Sequence, residues 1–161
     1  MKTFNQLPSH SRIWIYQSTR ELLPDETSKI KTLANDFINQ WTSHGSNMDA
    51  AIEILYNRFI IVAVDEQTAP ASGCGIDKSL RFIQDMEKQF KLSLLERTQV
   101  AYKAGDSIRS CSLAEFEKLI NIKQVDENTI VFNNLISTLA ELKTNWQVPL
   151  KQSWHSKMLI R

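Results

Sequence analysis

Apolar residues along this chain change repeatedly between the two-residue period of a strand and the longer period of a helix. Four short runs are alternating or continuously apolar and rich in β-branched residues, which predicts strands over 12–17, 51–56, 59–65 and 98–103. Two longer stretches carry apolar residues at spacings of three and four, which predicts amphipathic helices that begin at Pro24 and near Ile76. The first 104 residues therefore have the predicted order β-α-β-β-α-β.

This order is typical of the ferredoxin-like fold, an α+β architecture. We expect a four-stranded antiparallel sheet with strand order 4-1-3-2 and both helices on one face, because βαβ crossovers are right-handed. From about residue 105 to 161, a capping box at Ser112–Glu115 and helical spacing after Asn134 predict a helical C-terminal extension that packs on this core. No linker-like stretch interrupts the chain, so we expect a single domain over 1–161, with its core at about 11–104.

The expected topology brings three segments to one end of the sheet: the end of the first helix, the loop after the third strand and the end of the fourth strand. The chemically distinctive side chains in these segments are expected to lie close together; they are His44, Cys74, Asp77, Asp106, Arg109 and Cys111. This end of the sheet is the expected place for a functional site.

Within that group, the stretch Ala71–Ser79 has the strongest local signal. Two glycines flank Cys74 where the loop opens into the second helix. A helix N-terminus offers free N–H groups that hold anions. The candidate residues for binding a phosphate or carboxylate are Ser72, Gly73, Gly75, Asp77, Lys78, Ser79 and Arg109. The alternative is a plain N-cap turn, in which a side chain satisfies the same N–H groups.

Cys74 is also a candidate catalytic nucleophile, with His44 as its base and the amides of the second helix as oxyanion donors. A thiol is a weak nucleophile until its pKa falls, and a helix N-terminus lowers it. The alternative is a small cysteine that fills the turn. No local cysteine-protease motif is present, so whether the chain is an enzyme stays open.

Several classes of motif are absent from the sequence. Neither a GxxxxGK(S/T) loop nor GxGxxG occurs, so we expect no ATP hydrolysis. No CxxC, HExxH or clustered Cys/His set occurs, so we expect no metal and no cofactor. Without a signal-peptide pattern after Met1 or a run of about 18–20 apolar residues, we expect a cytoplasmic protein with no membrane partner. Cys74 and Cys111 are then expected to be free thiols.

The charge balance argues against a nucleic-acid partner. The 161 residues include 19 basic and 18 acidic side chains, a net charge of +1, which attracts neither nucleic acid nor an anionic membrane. Arg12, Trp14 and Tyr16 nevertheless share one face of the first predicted strand. On a helix-free sheet face such side chains stack on RNA bases. The alternative is that they lie beneath the C-terminal extension or at a dimer interface.

Six stretches carry a resemblance that covers nearly the whole chain; they are Arg12–Gln17, Gln40–Gly45, Tyr56–Phe59, Ala71–Ser79, Thr129–Asn134 and Ser153–His155. In this order they resemble a family of short Bacteroidetes proteins whose members often carry the label "ABC transporter ATPase". The chain lacks a Walker A lysine loop, a Walker B aspartate and an LSGGQ signature, and it is too short for an ABC nucleotide-binding domain. The resemblance therefore implies a bacterial cytosolic protein, and neither ATPase activity nor any catalytic residue.

Two functions of different classes are compatible with these patterns. One is a cytosolic domain or small enzyme that binds a small anion at the Gly73–Ser79 turn. The other is a non-catalytic module that binds a protein partner, or a second copy of itself, through the sheet face or the C-terminal tail around Trp154 and His155. RNA binding is a third, and it requires Trp14 and Tyr16 to be exposed beside a basic patch.

Overall fold

The computed structural model describes residues 1–43, 45–67 and 69–159, and its class is α+β, as predicted. The strands, in chain order, are β1 Arg12–Gln17, β2 Thr42–Ser43, β3 Ser46–Asn47, β4 Ala50–Leu55, β5 Phe59–Val64, β6 Gln99–Ala104, β7 Ser107–Ser112, β8 Ile130–Phe132 and β9 Gln147–Pro149. The α-helices are α1 Pro24–Gln40, α2 Gly73–Phe90, α3 Leu113–Asn121 and α4 Leu139–Thr144. Short 3-10 helices cover Phe4–Gln6, Leu150–Gln152 and Trp154–Leu159. The strands form three sheets, of three, two and four strands.

The chain divides into two compact units. The first comprises Met1–Leu95 and Ser137–Ala140, and the second comprises Glu96–Ile136 and Glu141–Arg161. The first unit therefore holds β1 to β5 with α1 and α2, and the second holds β6 to β9 with α3. The expectation of a single domain over 1–161 stays a prediction.

The larger sheet of the first unit has β5 between β1 and β4, and both neighbours run antiparallel to it. All six residues of β5 are buried, in keeping with its continuously apolar sequence. Helices α1 and α2 share one hydrophobic core with this sheet, which includes the fully buried side chains Ile30, Ile60, Val62, Val64 and Ile83. The order of these three strands is the one expected of them, but the fourth expected strand is not among them.

Arg20 joins the start of α1 to the end of α2. Its guanidinium donates two hydrogen bonds of 2.8 Å to the Glu26 carboxylate and one of 2.9 Å to the backbone oxygen of Phe90. Glu26 also accepts the backbone N–H of Leu23 at 2.9 Å, which caps α1. The Arg20 hydrogen bonds, and after them the Leu23 N–H, lower the pKa of Glu26 to about 2. Arg20 thus links the two helices at this end, by an ion pair to α1 and a hydrogen bond to the last residue of α2.

The predicted ferredoxin-like core is wrong. The expected fourth strand is β6, which lies in the second unit's sheet, in the order β7-β6-β8-β9. It forms a hairpin with β7, in which Ala104 is opposite Ser107 and Gly105 has a φ of +62° in the two-residue turn. A glycine adopts this φ without strain, so β6 pairs with the next segment of the chain at a low entropy cost of loop closure.

The second unit also corrects the expected helical extension. Residues 105–161 contain the strands β7, β8 and β9 as well as helices. Helix α3 begins after Ser112, whose hydroxyl accepts the backbone N–H of Glu115 at 3.1 Å, as the capping pattern predicts. Phe116 on this helix is fully buried in a core with residues of the sheet, including Val100, Tyr102 and Val131. The extension therefore contributes three strands to a second sheet, as well as the helix α3 that packs on it.

Candidate ligand-binding site

Helix α2 begins at Gly73 because Ser72 caps it. Ser72 has an extended backbone, and its hydroxyl accepts the backbone N–H of Gly75 at 3.4 Å. The same hydroxyl is hydrogen-bonded to the hydroxyl of Ser43 on β2, with 2.5 Å between the two oxygens. The turn at the start of α2 is therefore an N-cap, fastened to the β2–β3 hairpin.

At Gly75 another segment of the chain approaches α2 closely. A Cβ atom at this position would lie 3.3 Å from the Cβ of Ser43 and 3.8 Å from the Nε1 of Trp41. The indole N–H of Trp41 donates to the backbone oxygen of Gly75 at 3.0 Å. Gly75 is buried. Its lack of a side chain thus has a packing reason, and it does not expose its backbone to a ligand.

Two other predicted ligand residues already have partners within the protein. The ammonium of Lys78 donates to the backbone oxygen of Thr42 at 3.0 Å and lies 3.4 Å from the hydroxyl of the same residue. The hydroxyl of Ser79 donates to the backbone oxygen of Ile76 at 2.8 Å, and Ser79 is only 3% exposed. Gly73, Cys74 and Asp77 are the exposed members of the predicted turn.

The structure describes only one member of the predicted Cys74–His44 pair. Cys74 is a free, exposed thiol in the first turn of α2. His44 lies outside the described residues, so its distance from the thiol stays undetermined. The pair remains a prediction. Because the Cys74 side chain is exposed, it does not fill the turn as the alternative would have it.

Arg109 does not belong to the same compact unit as the α2 turn. It lies on β7 of the second unit, directly opposite Tyr102 on β6. Cys111, two residues further along, is half-buried, and burial followed by the charge of Glu115 raises its pKa to about 11. Arg109, Asp106 and Cys111 were expected near Cys74 only if β6 lay beside β1. That pairing does not occur, so the structural reason for the group is lost.

The aromatic face of β1 is not helix-free. Trp14 and Tyr16 are half-buried and pack against the core that β1 shares with α1 and α2. Arg12 covers Trp14, with its guanidinium carbon 4.6 Å from a ring centroid, and lies 3.4 Å from the carboxylate of Glu66. These contacts argue against RNA binding on this face, which required Trp14 and Tyr16 to be exposed.

The histidine of the C-terminal tail is buried in the second unit. His155 is 2% exposed, its ring lies 3.9 Å from that of Trp154, and its Nδ1 is 2.6 Å from the hydroxyl of Ser153. Burial, and after it the charge of Lys157, lowers the pKa of His155 to about 4. These contacts favour packing over ligand binding for this residue.

Lys78 also lines a depression between α1 and α2, which was not part of the predicted site. A cavity of about 270 Å³ is lined by Phe37 and Trp41 from the end of α1 and by Lys78, Arg81 and Phe82 from α2. The rings of Phe37 and Phe82 stack at 4.8 Å, and those of Phe37 and Trp41 lie 5.1 Å apart. The cavity therefore has aromatic walls, two cationic side chains and one carboxylate, that of Asp85.

A second cavity of about 500 Å³ continues along the same two helices, and Leu33, Met86 and Lys88 line it. Phe82 and Asp85 line both cavities, so the two form one depression, which we name the α1–α2 groove. Along α2 the charged residues of the groove recur at spacings of three and four, which places them on one side of the helix; they are Lys78, Arg81, Asp85 and Lys88. The groove therefore carries three cations and one carboxylate.

The groove was not predicted from the sequence. Phe37 and Phe82 belong to the apolar stripes of two amphipathic helices, and such a stripe indicates a core-facing side without showing where its border is exposed. The available signal was the row of cations beside the stripe of α2, at Lys78, Arg81 and Lys88. A charged row of this kind is the usual solvated face of a helix, so it did not single out a site.

Two further features of the described residues bear on other partners. Across 1–43, 45–67 and 69–159, no helix is both long and apolar enough to cross a membrane. Within the same ranges, no three His, Cys, Asp or Glu side chains are grouped so that they could hold a metal ion.

Comparisons with known proteins do not place the chain in a family. No protein-family model matches it, and no solved structure matches it. Kinetochore protein ndc80 of Schizosaccharomyces pombe (strain 972 / ATCC 24843) is 25% identical over 127 residues, which are 73% of this chain and 20% of that protein. The chain thus spans about a fifth of the length of this curated relative.

Proposed function

We propose that this chain is a binding domain for an anionic ligand that also has an apolar part, with its site in the α1–α2 groove at Lys78 and Arg81. The cavity lined by these two cations and by Phe37, Trp41 and Phe82 carries the proposal. The proposed site retains the anionic ligand and Lys78 of the predicted site. It lies on the outer side of α2, however, and not at the capped turn.

The charges and contacts of the two cations support this position. Arg81 is exposed, and the hydrogen bonds to Thr42 orient the half-buried Lys78. In the described part of the chain neither cation forms an ion pair. A guanidinium beside an ammonium suits a carboxylate, sulfonate or phosphate, and the neighbouring rings suit an apolar group. An anion that has both parts gains from both features.

The proposal is tested with 1-anilinonaphthalene-8-sulfonate, an aromatic anion of suitable size. We expect its fluorescence to rise on binding to the folded protein and its binding to be about 5-fold weaker in Arg81→Glu, the ratio that corresponds to ~1 kcal/mol. Lys31→Glu is the matched control, because Lys31 is an exposed lysine of α1 that does not line the groove. Equal binding by the two variants would refute the site.

The catalytic alternative uses Cys74, which is exposed at the start of α2. Its test is the rate of alkylation of Cys74 against pH, in the natural chain and in His44→Ala. Thiolate formation well below the ordinary thiol pKa, lost in His44→Ala, would support a catalytic pair. An ordinary pH profile that the substitution leaves unchanged would remove it.

The cytoplasmic location and the resemblance to the Bacteroidetes family remain proposals. The alternative of a protein-interaction or homodimer module loses the aromatic face of β1, because Trp14 and Tyr16 pack on the core. The C-terminal tail remains as its candidate surface. Size-exclusion chromatography with light scattering tests the homodimer, and a clean monomer would remove it.

A further inference from the structure

The α1–α2 groove is longer than a small anion needs. Ten residues of α2 separate Lys78 from Lys88, and at a rise of 1.5 Å per residue this is about 15 Å. Its two cavities, of about 270 and 500 Å³, lie one after the other along the helices. An occupant that fills the groove is therefore elongated, with a length near that of three helical turns.

The groove also has a net positive charge. Arg81, Lys88 and Asp85 are exposed along its side, and Lys78 is half-buried. In the described part of the chain none of the four forms an ion pair. Three cations against one carboxylate leave an excess of two positive charges on a chain whose net charge is +1. The complementary occupant is acidic.

The backbone of the groove decides the conformation of a peptide occupant. An extended peptide obtains its affinity from main-chain hydrogen bonds to an open sheet edge. Both walls of the groove are α-helices, whose interior N–H and C=O groups are already paired along the helix. Only side chains are available to a ligand, so a peptide in the groove has to satisfy its own backbone, as a helix does.

We propose that the α1–α2 groove binds an acidic amphipathic helix of a partner protein. The partner places apolar residues, spaced i, i+3 or i+4, and i+7, over Phe37, Leu33 and Met86, and it turns Glu or Asp side chains toward Arg81 and Lys88. This inference rests on the proposed function for the Lys78–Arg81 end and extends it to Lys88, which lines only the larger cavity.

The test uses a 16-residue peptide with leucines at helical spacing and flanking glutamates. The peptide carries a fluorophore, and its binding is measured by fluorescence anisotropy. We expect saturable binding that weakens with added salt, since exposed charge pairs are screened. Arg81→Glu and Lys88→Glu are each expected to weaken binding about 5-fold, as for an exposed charge pair worth ~1 kcal/mol. Lys31→Glu is expected to leave it unchanged. A peptide with lysine in place of each glutamate should bind Lys88→Glu more tightly than the natural chain, which damage to the fold cannot produce.

Lys88 separates failure of this inference from failure of the proposed function. Binding of 1-anilinonaphthalene-8-sulfonate should depend on Arg81 and not on Lys88. If that probe binds while the acidic peptide does not, the helix partner is refuted and the small-anion site stands. If neither binds, both are refuted. Equal binding of the acidic peptide and a scrambled peptide of the same composition would also overturn the helix, since only the first is amphipathic.

Discussion

The replacement of Gly75 by alanine is the sharpest test of how the start of α2 is built. The added Cβ would lie 3.3 Å from the Cβ and 3.4 Å from the Oγ of Ser43, closer than an ordinary carbon contact. Ser43 cannot turn away freely, because its hydroxyl is bonded to that of Ser72. The substitution therefore has to push the β2–β3 hairpin away from α2.

Two opposing contributions set the magnitude. Alanine is favoured over glycine inside a helix by about 0.5–1 kcal/mol. Crowding in a packed site costs about 1–3 kcal/mol. We expect Gly75→Ala to lower the free energy of unfolding by about 1 kcal/mol. Gly73→Ala is the matched control, because its Cβ would meet nothing within 4 Å. We expect that variant to be neutral or stabilised by a few tenths of a kcal/mol.

The assay is urea denaturation, monitored by far-UV circular dichroism. If crowding by Ser43 is the cause, Ser43→Gly should reduce the cost of Gly75→Ala, with a coupling energy of about 1 kcal/mol in the double-mutant cycle. Equal effects of Gly73→Ala and Gly75→Ala, or a cycle without coupling, would refute the argument that close approach explains Gly75.

Three further predictions concern stability. The pKa of Glu26, lowered to about 2 in the fold, contributes stability that is present above an unfolded pKa near 4.5 and lost as pH falls toward 2. Because the Arg20 side chain is 41% exposed, we expect the loss to be only about 1–2 kcal/mol, and to be absent in Glu26→Gln. The pKa of His155 is lowered to about 4 in the fold, so the unfolded chain binds a proton there at a higher pH, and stability is lost as pH falls from 6.5 toward 4. We expect this loss to be about 2–3 kcal/mol and to be absent in His155→Gln. Lys91 ends α2 with a φ of 54°, so Lys91→Gly should raise the free energy of unfolding by about 1 kcal/mol.

Urea denaturation at several pH values checks the first two of these predictions, and the same assay at neutral pH checks the third. An unchanged pH dependence in Glu26→Gln between pH 5 and 2, or in His155→Gln between pH 6.5 and 4, would contradict the assigned carboxyl or imidazole. The control for Lys91→Gly is Lys31→Gly in the interior of α1, where glycine should cost about 1 kcal/mol. Loss of stability in both variants would show that the end of α2 does not require a positive φ.

The apolar pattern predicted the local structure of the first unit well. Strands were predicted over 12–17, 51–56 and 59–65, and a helix from Pro24, and β1, β4, β5 and α1 lie there. The N-cap alternative for the turn before α2 is also what the structure contains, at Ser72. These features depend on neighbouring residues, through side-chain periodicity and capping, and a sequence expresses such preferences directly.

The pairing of the predicted strands depended on the tertiary structure. The apolar pattern of 98–103 indicates a strand but not its neighbour. A two-residue turn at Gly105 and Asp106 brings β7 to β6 at little entropic cost, and this local hairpin replaced the long-range pairing that a ferredoxin-like sheet requires. The group of Cys74 with Arg109 depended on that pairing, so it lost its basis as well.

The candidate site shows the same division. From the sequence alone, Ala71–Ser79 was the start of a helix with a glycine on each side of Cys74, and Phe37 and Phe82 were core residues. The folded chain uses Gly75 to admit Ser43 and Trp41, and it leaves a cationic groove between α1 and α2. Periodicity determines which side of a helix is apolar. Only the packing of two helices decides how much of that side remains open to a ligand.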